Sequence, residues 1–154
     1  MSHYTKFAAM ITTSTVTMFI FMYLNTYALD HVFFSETRAY MSLLMGATMT
    51  VIMLLFMLPH YPNKKLNTGI LAGSVLVFAT SLWLVRSQTT VDQVSWMKAM
   101  IPHHSIAILT SERATITDPR VRDLADGIIE AQRKEIDEMK RLIKDLAPEN
   151  VQAE

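Results

Sequence analysis

The chain has no cysteine. That excludes disulfides, thiolate metal sites and cysteine nucleophiles. Charge is almost missing from one half. Residues 1–90 carry five basic and two acidic side chains, net +3; residues 91–154 carry nine and twelve, net −3. A formal net charge of zero hides two unlike halves. Neither holds a basic stripe, so no nucleic-acid partner is expected. An activated nucleophile and an acid–base carboxylate pair are also missing, so the expectation is a protein that is not an enzyme.

What the chain has in excess is apolar surface and methionine. Hydrophobic residues make up 51% of it, and twelve of the 154 residues are methionine. Methionine is a soft thioether ligand and also a flexible filler of apolar packing. Both uses stay open at this point.

Three segments are long and apolar enough to predict membrane spans, which need about 20 residues each. Residues 7–29 carry no charge, although Thr12, Thr13, Ser14, Thr15 and Thr17 make them mildly polar. Residues 39–58 are uncharged and end at Pro59; residues 69–85 end at Arg86. Tyr23, Tyr27, Tyr40, Tyr61 and Trp83 fall near the ends, where amphipathic rings favour the interface. The first segment is too long for a signal peptide core and lacks a small-x-small cleavage site, so it is expected to stay as an anchor. Lys6, Lys64 and Lys65 share one side, against Arg38 and Arg86 on the other. That bias favours an internal N-terminus and places the C-terminal half outside the cytoplasm.

The second span carries Met41, Met45, Met49, Met53 and Met57, with His60 just beyond. Each four-residue step turns a helix about 400°, so the row winds slowly. Packing by an adaptable side chain is the plain reading; a thioether ladder for Cu(I) in a transport system is the alternative. Gly69 and Gly73 form a GxxxG that lets helices approach closely.

The expected division is a transmembrane region over 1–86, a junction at 87–90, a helical hairpin over 91–147 and a tail over 148–154. In the hairpin, Thr90 with Gln93 reads as a capping box opening a helix that runs to about residue 116. Asp118 suits an N-cap and Pro119 the first position of a second helix, ending near Leu146 before Pro148. Its outer face offers Glu130–Lys134 and Asp137–Arg141 pairs. The expected inner face is Leu124, Ile128, Gln132, Glu135, Met139, Leu142 and Leu146. Two helices bury little core, so the hairpin is expected to complete a four-helix bundle as a homodimer or larger assembly. The fold class is thus all-α: three transmembrane helices followed by a two-helix hairpin.

Inside the hairpin, "WMKAMIPHHS" joins two histidines, a helix-interior proline and two methionines. On a helical wheel His104 lies about 20° from Met97, while Met100 approaches His103 at i+3. The two imidazoles point about 100° apart. Pro102 removes an amide donor and is expected to bend the helix. Opposite them stand Met139, Glu135 and Gln132. Two imidazoles with thioethers suit copper, and Met-x-x-His in place of Glu-x-x-His argues against a di-iron bundle. The candidate ligands are His103, His104, Met100, Met97 and Met139, with Glu135 and Gln132 behind them. The plain alternative is a core histidine paired with Glu135 in a structural, oligomerising module. His31 and His60 are expected to be interfacial.

At these residues the sequence resembles domain-of-unknown-function family 305. "WMKAMIPHHSIAILTSERA" and "DPRVRDLADGIIEAQRKEIDEMKRLI" carry the likeness, over roughly residues 91–146. The signatures are Met-Ile-x-His-His at Met100, Ile101, His103 and His104, and Gln-x-x-Glu-Ile-x-x-Met at Gln132, Glu135, Ile136 and Met139. The resemblance implies a ferritin-like helical domain, in some members membrane-anchored. It implies copper binding through the His and Met positions, in the bacterial periplasm or envelope, beside other copper-handling proteins. Many members hold a methionine seven residues after the first histidine; here that position is Thr110.

Overall fold

The structure, a computed structural model, describes residues 2–146. Those residues form five α-helices and no strand: α1 His3–Phe21, α2 Glu36–Phe56, α3 Lys64–Ser87, α4 Gln93–Arg113 and α5 Pro119–Leu146. The expected tail over 148–154, and Pro148 as a helix stop, lie outside the described residues. The helices sort into two compact units. One holds the chain through Met22 together with Thr37–Thr90; the other holds Tyr23–Glu36 together with the chain from Val91.

In the first unit, Ser2 caps α1 by accepting from the Thr5 amide at 3.2 Å. Its core is Phe7, Leu54 and Tyr61. Tyr4 and Phe7 pack their rings on Tyr61 at 5.1 and 5.4 Å between centroids. The Tyr4 hydroxyl donates to Asn67 Oδ1 (2.9 Å), and Asn67 Nδ2 donates to the Tyr61 carbonyl (2.8 Å). A buried amide is thereby satisfied on both sides. Gly46 of α2 faces Thr15 of α1. A Cβ there would stand 2.3 Å from Thr15 Oγ1, so only glycine fits. The GxxxG pair Gly69 and Gly73 has nothing within 4 Å of either Cβ position and packs no helix in this chain.

Two helices, α2 and α3, are long and apolar enough to cross a membrane by length and composition. The segment expected as the first span behaves differently. Its helix ends at Phe21, not near residue 29, and the chain turns away. The apolar run continues through residues 23–29, but the hydrogen bond from the Tyr27 amide to Ser105 ties that stretch to the second unit.

The second unit is built on α4 packed against α5. Its core is Met97, Ile101, Ile108, Ile136 and Met139, with Phe33, Val94, Met100, Ile129 and Ile143 packed around it. Asp92, rather than Thr90, caps α4: its Oδ1 accepts from the Ser95 amide at 2.7 Å. The helix ends at Arg113, three residues before the expected stop, and runs unbroken through the buried Pro102. Asp118 and Pro119 open α5 as expected, with Asp118 Oδ1 accepting from the Arg120 amide at 2.9 Å. The i,i+4 ion pair observed on α5 is Arg122–Asp126 at 2.7 Å, rather than the two pairs expected.

The inner face of α5 is rotated from the expected one. Ala125, Ile136 and Met139 are buried and Ile129, Gln132 and Ile143 half-buried, while Leu124, Ile128, Glu135, Leu142 and Leu146 are exposed. The apolar stripe is wide enough to offer either set. Packing on α4 takes Ala125, Ile136 and Met139, and the leucines are left on one flank.

Candidate functional site

The site grows from the centre of α4. Met97 and Ile101 lock that helix into the core, which fixes where the next turn points. His104 follows Ile101 and is half-buried; its side chain is 15% exposed. His103 lies on the exposed side. Their ring centroids are 6.1 Å apart and their planes are tilted by 59°, so they do not form one two-pronged ligand. Met100 sits one turn before His104, at the i,i+4 spacing that makes helix-surface neighbours.

From α5, Glu135 Oε2 comes within 3.1 Å of His104 Nδ1. The ring nitrogen is not aimed at that oxygen, and Nδ1 is buried without a hydrogen bond. Burial pushes the His104 imidazole below the ordinary histidine value; the Glu135 carboxylate opposes this and His103 adds to it. The neutral ring thus persists to lower pH, which keeps a nitrogen lone pair free. Among the described residues, no three His, Asp or Glu side chains gather around one point.

The predicted ligands therefore divide. His104 and Glu135 meet; His103 and Met100 stand beside them on the same helix. Met97 and Met139 join the hydrophobic core, buried to 4% and 6% exposure. Gln132 is half-buried on the inner face of α5. Thr110, where the resemblance places methionine in many members, turns its hydroxyl back onto the Ile106 and Ala107 carbonyls.

A second set of contacts was not foreseen. Ser105, fully buried, accepts from the Tyr27 amide at 2.7 Å and lies 2.9 Å from His31 Nδ1. Lys140 pairs with Asp30 at 2.6 Å, and Arg133 stacks over the Tyr27 ring at 5.9 Å. The Tyr23 hydroxyl accepts from the Ser35 amide, closing the segment on itself. His31 belongs to the hairpin unit and is 13% exposed, held beside Ser105. These contacts bridge more than 70 positions of sequence, and no local periodicity signals them.

The comparisons fall on the same helices. The family described as "Domain of unknown function (DUF305)" matches residues 85–153. An uncharacterized protein of Acanthamoeba polyphaga mimivirus is 32% identical over 113 residues, covering 72% of this chain and 72% of that protein. No solved structure matches. The chain belongs to the DUF305 family. The family match takes in α4, α5 and the whole His/Met set, but not Tyr23–Glu36. The viral relative reaches further. The 70 residues from 85 to 154 cannot hold 113 matched positions, so that likeness extends back into the apolar helices. In this DUF305 member the matched hairpin and the segment before α2 form one folded unit.

Proposed function

We propose that the protein is a membrane-anchored metal-binding protein that takes copper, first as Cu(I), for sequestration, delivery or tolerance. His104, His103 and Met100 are the leading ligands. One observation carries this reading: a buried imidazole nitrogen without a hydrogen bond, beside an exposed second imidazole and a thioether. An orphaned buried nitrogen is costly unless something binds it. The donor set is also soft, as Cu(I) prefers. Glu135 would add a carboxylate, and Met97 and Met139 would serve only if the core opened toward His104. Bound metal would sit as cargo or store; the residues supply binding and no reaction step.

The membrane part of the proposal rests on α2 and α3, with α1 as a third span. A crossing pair α2–α3 returns the chain to the side it left, which fits Tyr23–Glu36 and the hairpin forming one unit. Lys64 and Lys65 then mark the cytoplasmic side, and the hairpin faces outward, toward a periplasm in a bacterial inner membrane. There it would meet other copper-handling proteins. A homodimer completing a four-helix bundle would cover the hairpin's exposed leucines.

The rival is a structural module in which His104 simply packs beside Glu135, and the 3.1 Å approach favours it. Competition for Cu(I) against a chromogenic chelator separates the two. The full chain in detergent should withdraw Cu(I), and the His103→Ala/His104→Ala variant, equally helical, should not. A wild-type chain that never competes would sink the metal reading.

A further inference from the structure

The two flanks of the hairpin are not alike. Take Met139 as zero on a wheel of α5, at 100° per residue. Ala125, Gln132, Ile136 and Ile143 lie about 20–60° to one side; Glu135, Leu124, Ile128, Leu142 and Leu146 lie about 20–60° to the other. On α4, with Met97 as zero, Ser105 falls about 80° to the first side. His104, Met100, Trp96 and His103 fall about 20°, 60°, 100° and 120° to the second. The His104–Glu135 approach shows that the second sides of both helices adjoin. The first flank is closed within the chain, because Ser105, Arg133 and Lys140 all hold Tyr23–Glu36.

The second flank is open. Trp96 is 51% exposed, Leu124 64%, Ile128 37%, Leu142 42% and Leu146 45%. Within this apolar stripe, Glu135 is 51% exposed at its side chain. Among the described residues His103 has no hydrogen bond or ion pair, and its ring centroid lies 6.1 Å from that of His104. A carboxylate and an unpaired imidazole on one apolar flank complement each other across a twofold axis.

We infer that a second copy of this chain closes the open flank, and that each metal site is shared. His104 and Glu135 come from one chain and His103 from the other. The inference rests on the metal reading above. With the first flank closed in cis, the second is the open apolar face of the α4–α5 pair, and one self-complementary face favours a closed twofold pair over an open polymer. His103 is the middle residue of the 21-residue α4, and Glu135 lies near the middle of α5. A twofold axis through the centre of the flank returns central residues onto central residues, so these groups meet without any shift along the helices. A lipid surface is a poorer occupant. At the middle of the stripe the flanking charges are Glu135 and Glu138, which anionic headgroups would repel; the cations on that side, Arg120 and Lys134, lie at its start and further round the helix.

Chain mixing tests this. His103→Ala chains and Glu135→Ala chains are purified in detergent, checked for equal helicity, mixed one to one and titrated with Cu(I). Random exchange makes half the dimers mixed, and each mixed dimer regains one of its two sites. About a quarter of the wild-type tight sites should return. Each variant alone should bind at least about tenfold more weakly. Leu124→Glu/Leu142→Glu should give a folded monomer by light scattering with the same loss. A wild-type chain that binds Cu(I) but gains nothing from mixing keeps the metal reading and overturns the shared site. A wild-type monomer at every concentration overturns it as well. A wild-type dimer that never binds Cu(I) sinks both.

Discussion

Ser105 Oγ accepts the Tyr27 amide proton at 2.7 Å, across 78 positions of sequence. The next residue back, His104, carries the orphaned nitrogen of the candidate site. One turn of α4 therefore points one side chain at the segment between α1 and α2 and its neighbour at α5. The site's helix is held in register partly by a loop outside the family match.

Replacing Ser105 by Ala should expose that dependence. The Tyr27 amide would lose its acceptor in a part-buried place, at a cost of about 1–3 kcal/mol. Thermal unfolding in detergent should shift down accordingly. Limited proteolysis should cut first within Tyr23–Glu36, while α2 and α3 stay protected. Unchanged cleavage would mean that Phe33 and the Lys140–Asp30 pair hold the segment alone.

Stability of the hairpin unit should fall on acidification below about pH 6.5. Burial lowers the His31 value, and the Lys140 charge lowers it further; Asp30 and Asp137 oppose. The folded ring thus takes up its proton later than the unfolded one, whose ordinary value is 6.5. Stability is full above that value and is lost as pH falls toward the depressed folded value. A second loss follows below pH 3.8, where Asp30, held low by its hydrogen bond to Lys140, protonates. His31→Asn should shrink the first window to the part that the likewise lowered His104 contributes, and spare the second. Lys140→Met should narrow the first by raising His31, and weaken the second. Melting temperatures between about pH 2.5 and 8, a range that spans the ordinary carboxylate and imidazole values, would read both.

Much of this was legible in the sequence, and the failures share a cause. Asp118 and Pro119 fixed the start of α5 because a cap and a proline act within one turn. The start of α4 was placed two residues early, since Thr90 and Asp92 both suit a cap and only the contact with the Ser95 amide decides. The rotated face of α5 came from an apolar stripe wider than one helix contact: Leu124 and Ile128 read as core as well as Ala125 and Ile129 do. The end of α1 and the place of His31 depend on partners 70 or more positions away, which periodicity does not carry. The His103–His104 pair was visible as chemistry, but its separation from Met97 and Met139 required the packing.

The core beneath the site gives a stability control. Ile101 and Ile136 are 0% and 2% exposed and belong to one cluster with Met97 and Met139. Ile136→Ala should cost about 2–5 kcal/mol as a cavity. Met139→Leu keeps the volume and should cost less than about 1.5 kcal/mol. If Met139 ligates copper, the leucine variant also loses Cu(I) affinity while keeping its fold, which chelator competition and circular dichroism together would resolve.

A different close approach lies between α1 and α2, at Gly46 and Thr15. A methyl group at Gly46 would meet Thr15 at 2.3 Å from Oγ1 and 3.1 Å from Cγ2. Turning χ1 of Thr15 relieves only part of the clash, because its Cβ already stands 3.3 Å from that position. Gly46→Ala should therefore force the helices apart and destabilise the first unit by about 1–3 kcal/mol, despite alanine's better helix propensity. Thr15→Ala removes both clashing atoms. The double variant should recover most of the loss, and may not be replaced by Thr15→Val, which keeps two branches. Thermal melts of the two single variants and the double variant measure the coupling directly. Additive effects would show that α1 and α2 do not meet at Gly46.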